Sequence, residues 1–154
     1  MKKVLSTRVA PAQPENWVVT QHEYEGFPLF TRYPNNLDYD KLQEQFPVRV
    51  VVTIDLSEVT DKGLPVTSYN NSLESFDNFV VESLADNCKG QCVLVETFSG
   101  ERHFYIYASD SADTSELEAA IKNKFPQHVV SFEVRRDPKW SFIRQYAKDY
   151  LGGG

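Results

Sequence analysis

The alternation of apolar and polar residues predicts strands in the first part of this chain. In WVVTQHEYEGFPLFTRY, residues 17–33, two strand-like runs flank Glu25 and Gly26, and glycine readily takes the positive φ of a tight turn. In PVRVVVTIDL, apolar residues such as Val50 and Val52 alternate with polar ones, which is typical of a strand buried on one face. We therefore expect an N-terminal β-hairpin followed by a half-buried strand.

Two later segments carry helix-start signals in front of an apolar stripe at helical spacing. In NNSLESFDNFVVESL, Asn71 is predicted to cap the helix and Glu74 to complete a capping box. In SADTSELEAAIKNKFP, Asp113 and Glu116 form the same pair, and a proline ends the helix. Both segments are predicted to be amphipathic helices that pack on a sheet.

The remaining apolar runs complete a recognisable order of elements. QCVLVETF and ERHFYIYA are predicted to form a second hairpin, and HVVSFEVRR a last strand. From Pro47 to Arg136 the order is therefore β-α-β-β-α-β. This order predicts an α+β fold with a ferredoxin-like core, in which two helices cover one face of a four-stranded antiparallel sheet.

The C-terminal segment RRDPKWSFIRQY predicts one more helix. Asp137 is a suitable N-cap, and Pro138 fits the first helical position, where its missing N–H costs nothing. Trp140 leads an apolar face at three- and four-residue spacing. We expect a C-terminal helix that begins at Pro138 and docks on the domain through Trp140.

Length and composition set the domain organisation. The chain has 154 residues, of which 41% are hydrophobic, a size and composition that suit one domain. We predict an irregular N-terminal arm over residues 1–16, a single α+β domain over 17–151 and a disordered glycine tail over 152–154.

The charge balance narrows the classes of partner. The net charge is −6, so the broad positive field that nucleic-acid binding needs is missing, and we rank that function lowest. Near the C-terminus, however, basic side chains cluster and form a candidate contact surface for an acidic partner. Its members are Arg135, Arg136, Arg144 and Lys148.

An aromatic strand is the main candidate for a binding face. Strand alternation in ERHFYIYA places His103, Tyr105 and Tyr107 on one face of the sheet, opposite the face predicted to pack on the helices. This face can serve as a ligand platform, with His103 as an acid or base. The favoured alternative is that this face is covered by the N-terminal hairpin or by a second copy of the chain, because amphipathic aromatics suit interfaces.

Motifs for catalysis are missing from the sequence. It contains no G-x-S-x-G, no glycine-rich phosphate loop and no H-E-x-x-H, so we predict no catalytic residue, metal site or cofactor. Cys88 and Cys92 are interpreted as structural thiols. Since no long apolar run or convincing signal peptide occurs, we expect a cytoplasmic protein without membrane association.

Several motifs taken together resemble a known family. GFPLFTRYPNN, the valine-rich strand, RHFYIYASD and DPKWSFIRQY resemble the bacterial family called domain of unknown function 695, over roughly Trp17 to Leu151. More distantly, the strand-helix-strand order with its DPxW…Y ending is similar to the regulator of ribonuclease E activity B, a ferredoxin-like protein that acts by binding the ribonuclease. The first resemblance supplies no functional residues, and the second implies an inhibitor or adaptor role.

Two functions stay open on the sequence. The first is a non-enzymatic protein-interaction or regulatory module that works through a protein partner or self-association. The alternative is a small-molecule-binding protein or enzyme with its pocket on the open sheet face near His103 and Tyr105.

Overall fold

The computed structural model describes residues 2–3, 17–86 and 88–152. Within these residues the chain forms one antiparallel sheet and five helices. The strands are β1 (Lys2–Lys3), β2 (Trp17–Tyr24), β3 (Phe27–Pro34), β4 (Val48–Asp55), β5 (Gly90–Phe98), β6 (Glu101–Ala108) and β7 (Val130–Arg136). The helices are α1 (Tyr39–Gln45), α2 (Thr67–Ser72), α3 (Glu74–Glu82), α4 (Thr114–Lys124) and α5 (Ser141–Tyr150).

The sheet is wider than the sequence predicts. Its strand order is β1-β2-β3-β5-β6-β4-β7, so the α+β class is confirmed, whereas the order differs from that of a sheet of four strands. The N-terminal hairpin is the reason, because β3 pairs with β5 from Leu29 opposite Phe98 to Arg32 opposite Val95. This pairing satisfies the backbone groups along an edge of β5 that would otherwise face water.

Both predicted hairpin turns are present. Glu25 and Gly26 have φ of 52° and 84°, and Ser99 and Gly100 have φ of 50° and 86°. Positive φ at both central residues is the signature of the two-residue turn whose twist matches that of the flanking strands. Each hairpin therefore closes where the glycine signal predicts.

Two apolar layers lie on opposite faces of the sheet. On the first face, Val50, Val52 and Phe104 pack with buried side chains of α3 and α4. On the second face, Tyr107 packs with Trp140 and other buried side chains of α5. Helices thus cover both faces, and α5 docks as the sequence predicts.

The first predicted helix begins earlier than expected. Asn71 lies inside α2, which follows Val66, and Leu73 separates α2 from α3 without any side-chain cap. The apolar stripe extends upstream, because Tyr69 is buried beside the fully buried Leu73, and this burial outweighs the local capping signal. The cap of α4 is confirmed, since the Asp113 carboxylate accepts the Glu116 backbone N–H at 2.9 Å.

Helix α5 begins at Ser141 rather than at Pro138. The reason is a turn in front of it, in which Trp140 has the left-handed φ of 58° and its N–H bonds to the carbonyl of Asp137 at 3.0 Å. The Asp137 carboxylate still accepts the first free amides, from Ser141 at 3.0 Å and Phe142 at 3.1 Å. Asp137 therefore caps the helix from beyond the turn.

Most of the predicted arm over residues 1–16, together with residues 153 and 154 of the predicted tail, lies outside the described residues. Lys2 and Lys3 are described, and they pair with Thr20 and Val19 of β2, so the arm is not irregular throughout. In the part of the chain covered by the structure, no helix has the length and apolar character needed to cross a membrane.

Candidate functional site

Helix α5 covers the centre of the predicted aromatic face. Tyr107 is fully buried, its ring stacks on Trp140 with centroids 4.3 Å apart, and its hydroxyl donates to Asp137 at 2.6 Å. Tyr105 stacks on Phe142 with centroids 4.5 Å apart. Neither the hairpin nor a second copy is needed to cover these two rings.

His103 lies at the less covered end of the same strand, with 23% of its side chain exposed. Its Nδ1 atom is 2.9 Å from the Thr53 hydroxyl, and its Nε2 atom is 3.3 Å from Glu101. Both ring nitrogens therefore already have neighbours. His103, Tyr105 and Tyr107 lie on one face of the sheet. Helix α5 covers the two tyrosines and leaves His103 partly exposed.

Burial shifts the titration of the covered tyrosines. It raises the pKa of Tyr107, and the hydrogen bond to Asp137 raises it further. Burial also raises the pKa of Tyr105 and of Tyr146, whose hydroxyl donates to Glu96 at 2.6 Å. All three phenols are therefore protonated at neutral pH, and Tyr107 and Tyr146 donate to carboxylates.

The three residues predicted as structural lie at the start of α5. Burial tends to raise the pKa of the Asp137 carboxyl, but hydrogen bonds from Tyr107 and from the amides of Phe142 and Ser141 lower it below its usual value. Pro138 is exposed in the turn before the helix. Trp140 is fully buried, and its indole N–H donates to the backbone carbonyl of Phe46 at 2.7 Å.

The predicted basic surface is dispersed and partly neutralised. Arg136 pairs with Asp110 at 2.5 Å, and Arg135 lies 3.4 Å from Glu133. Arg144 instead reaches α1, where it pairs with Asp40 at 2.8 Å and bonds to Gln43 at 2.6 Å. Lys148 is in the last turn of α5. Arg135, Arg136 and Arg144 thus contact carboxylates in three different parts of the fold.

The cysteines and histidines do not assemble into a reactive group. Cys88 is exposed and Cys92 is buried, and both thiols are free. Burial raises the pKa of the Cys92 thiol to about 12, so that thiol is protonated and inert at neutral pH. Across residues 17–86 and 88–152, no three side chains of His, Cys, Asp or Glu come together as a metal site would require.

A different cavity lies on the opposite face of the sheet, between the β2–β3 hairpin, helices α2 and α3, and the segment before α2. It has a volume of about 360 Å³ and is called the arginine pocket below. Its polar lining consists of Thr31, Arg32, Asn70, Asp77, Thr97 and Arg102, and its apolar lining of Val19, Phe30, Leu64, Pro65 and Val95.

Arg102 is the fixed centre of the arginine pocket. It is only 6% exposed, and its guanidinium donates to Thr97 at 2.9 Å, Asp77 at 2.7 Å and Asn70 at 2.6 Å. These partners belong to β5, α3 and α2, so one side chain links three elements. Such a buried arginine is tolerated because its charge is paired and its N–H groups are bonded.

Arg32 is the second cation of the pocket and is held less tightly. Its guanidinium lies 3.6 Å from the Asp77 carboxylate and 5.1 Å from the centre of the Trp17 ring, and 31% of its side chain is exposed. Among the described residues no hydrogen bond involves its side chain. Arg32 therefore has N–H donors available at the mouth of the pocket.

Asp77 is shared by the two arginines. Its Oδ2 atom faces both guanidinium groups, whereas its Oδ1 atom is buried without a hydrogen-bond partner in the described chain. Burial raises the pKa of Asp77, although Arg102 and Arg32 counteract the shift. Burial likewise lowers the pKa of Arg32, and Asp77 opposes that shift. Two cations thus share one carboxylate in a partly desolvated space.

The arginine pocket was not predicted from the sequence. Its charged residues come from β3, α3 and β6, and no local motif links them. One signal was present, because Arg102 lies two residues before Phe104 and therefore occupies an inward position of the strand. A charged residue at such a position indicates a buried pair or a site.

The comparisons with known proteins match the chain to a family. A family model described as "Family of unknown function (DUF695)" matches residues 15–147. No curated protein and no solved structure matches the chain. The likeness to the regulator of ribonuclease E activity B therefore stays a prediction.

Proposed function

This chain belongs to DUF695, a family of unknown function, and from its geometry we propose that it is a non-enzymatic binding module whose arginine pocket takes up a small anionic molecule. One observation carries the proposal: Arg32 and Arg102 share the single carboxylate of Asp77 in a cavity of about 360 Å³. Two guanidinium groups and one carboxylate leave the lining of this cavity with a net positive charge, which an anion would neutralise.

Arg32 is the group that would contact the anion. Its planar guanidinium presents five N–H donors in a geometry that matches carboxylate or phosphate oxygens. Its ion pair with Asp77 is long, at 3.6 Å, so the donors can turn toward a ligand without breaking a close bond. Arg102, in contrast, is held by three partners and would act as a positioning residue.

A regulatory role fits the position of the pocket. A bound ligand would contact the N-terminal hairpin, the α2–α3 region and β6 together, and would stabilise their arrangement by mass action. The absence of reactive motifs from the sequence favours binding over catalysis. The accessible end of the aromatic face, at His103, is on the other side of the sheet and contributes nothing to this pocket.

The proposal predicts that binding depends on Arg32. Arg32→Gln is expected to weaken binding of sodium hexanoate or inorganic phosphate at least about tenfold, or ~1.4 kcal/mol, because it removes the cation at the mouth of the pocket. Isothermal titration calorimetry on the full chain measures this. Arg144→Gln, a surface arginine paired with Asp40, is the matched control and should bind like the parent protein. Equal affinity of the two variants, or no binding of any anion by the folded parent, would overturn the proposal.

A second candidate is self-association through β7. This strand pairs with β4 on one side, and in the sheet built from the described residues no strand lies on its other side. Val134 within it is 49% exposed. An unpaired edge with an exposed apolar side chain is a site at which a second copy can add its own strand.

The self-association proposal predicts a dimer that a charge on β7 disrupts. Val134→Lys is expected to shift the parent dimer to monomer in size-exclusion chromatography with light scattering. Val59→Lys, at an exposed valine away from β7, should leave the dimer intact. A parent protein that is monomeric at every concentration tested would sink this candidate.

We also propose a cytoplasmic location and a ferredoxin-like core. The free thiols of Cys88 and Cys92 support a reducing compartment. The relative order β5-β6-β4-β7, with α3 and α4 packed on the same apolar layer, supports the assignment of the core.

A further inference from the structure

We infer that the ligand of the arginine pocket is a monocarboxylate with an apolar body. This inference rests on the proposed function, because it specifies the class of anion that the same site accepts. Three independent properties of the lining support it: the polarity of its hydrogen-bonding groups, its charge and the distribution of its apolar side chains.

The hydrogen-bonding polarity of the pocket is set by Arg102. Its Nε–H donates to the Thr97 hydroxyl, and an N–H of its Nη2 donates to the side-chain amide oxygen of Asn70. The Thr97 hydroxyl therefore retains its hydrogen to donate, and the Asn70 side chain retains its NH₂ group. Together with Arg32, these groups make the donors outnumber the one charged acceptor of the lining, Asp77, whose Oδ1 atom has no hydrogen-bond partner in the described chain. Such a lining favours a head group that only accepts hydrogen bonds, as a carboxylate does.

The charge of the lining fits a monoanion. Arg32 and Arg102 contribute two positive charges and Asp77 one negative charge, which leaves a single positive charge. A carboxylate neutralises it. A phosphate monoester carries about −1.5 to −2 at neutral pH and would leave negative charge beside Asp77. Burial desolvates Arg32 and Asp77, so that excess charge is costly there.

The apolar lining fits a hydrocarbon body. Five apolar side chains, Val19, Phe30, Leu64, Pro65 and Val95, line the pocket together with the charged cluster. A cavity of about 150 Å³ holds benzene, so one of about 360 Å³ holds a molecule of roughly 14 non-hydrogen atoms. A head group at Arg32 would then place its hydrocarbon chain against this wall, where each buried CH₂ contributes about 0.8 kcal/mol.

The test compares head groups on one hydrocarbon chain. Calorimetric titration of the full chain with hexanoate, hexyl phosphate, adipate and hexylamine should give the tightest binding for hexanoate, by at least about tenfold over each of the others. Acetate should bind at least about tenfold more weakly than hexanoate, because it lacks the hydrocarbon chain. Arg32→Gln should abolish the preference for hexanoate.

The outcomes separate this inference from the proposed function. Arg32-dependent binding of hexyl phosphate or adipate at least as tight as that of hexanoate would overturn the inference and leave anion binding intact. A preference for acetate over hexanoate would also overturn it. If no anion bound in a way that depends on Arg32, both the inference and the proposed function would be overturned.

A separate variant tests the hydrogen-bonding polarity of the lining. Asn70→Asp keeps an oxygen for Arg102 but replaces the donating NH₂ group with an acceptor, so hexanoate affinity should fall at least about tenfold. Asn123→Asp adds the same charge at an exposed site on α4, outside the lining of the arginine pocket, and should have a much smaller effect. Equal losses in the two variants would show that net charge alone matters and would contradict the polarity argument.

Discussion

Trp140→Ala is expected to lower the free energy of unfolding by about 3–5 kcal/mol, the cost typical of removing a large aromatic side chain from a core. The indole is fully buried, stacks on Tyr107 at 4.3 Å and donates to the Phe46 carbonyl at 2.7 Å. Its loss opens a cavity between α5 and the sheet and leaves that carbonyl without its donor. Urea denaturation followed by far-ultraviolet circular dichroism measures the change.

Two companion variants make this result interpretable. Trp140→Phe retains most of the ring but loses the N–H donor, so about 1–3 kcal/mol of destabilisation is expected from the unsatisfied carbonyl and the smaller ring. Phe27→Ala, at a site that is 44% exposed, should change the free energy by no more than about 0.5 kcal/mol. If Trp140→Ala were as mild as Phe27→Ala, α5 would not depend on this anchor.

Arg102→Met is expected to destabilise the protein by about 3–5 kcal/mol, because it leaves the buried carboxylate of Asp77 without its close partner. Arg32 contacts Asp77 only at 3.6 Å, a weaker interaction than the bond of 2.7 Å that Arg102 makes. Asn70 and Thr97 would also lose the donor that orients them. The loss of one cation therefore disrupts the whole polar cluster.

The double variant Arg102→Met with Asp77→Leu tests whether the two charges act as a pair. We expect the double variant to lose clearly less unfolding free energy than the two single variants lose in total, because removing both charges leaves no isolated buried ion. Chemical denaturation of the four proteins gives the coupling free energy. Additive effects would show that Arg102 and Asp77 stabilise the fold independently.

The sequence predicted the features that depend only on residues close together in the chain. The turns at Gly26 and Gly100, the cap at Asp113 and the docking face led by Trp140 each follow from a few adjacent side chains, and all are present. The start of α5 was misplaced, because the left-handed turn at Trp140 depends on contacts with Phe46 and Tyr107 from distant parts of the chain.

Long-range pairing was not predictable in the same way. The width of the sheet depends on the pairing of β3 with the edge of β5, about sixty residues later in the sequence. The alternation of apolar and polar residues does not by itself specify the partner strand. The arginine pocket needs that same pairing, because it brings Arg32 beside Asp77 and Arg102. The aromatic stripe was correctly placed on one face, but its cover is a tertiary contact of α5.

The distribution of the two tryptophans has an optical consequence. Trp17 packs in the layer of the arginine pocket with the Arg32 guanidinium 5.1 Å from its ring centre, whereas Trp140 belongs to the layer on the other face of the sheet. A protein with Trp140→Phe would have a single indole emitter, located beside the Arg32 guanidinium. Any molecule that draws Arg32 away from that ring would alter the emission of Trp17, so the chain contains its own fluorescent reporter of occupancy.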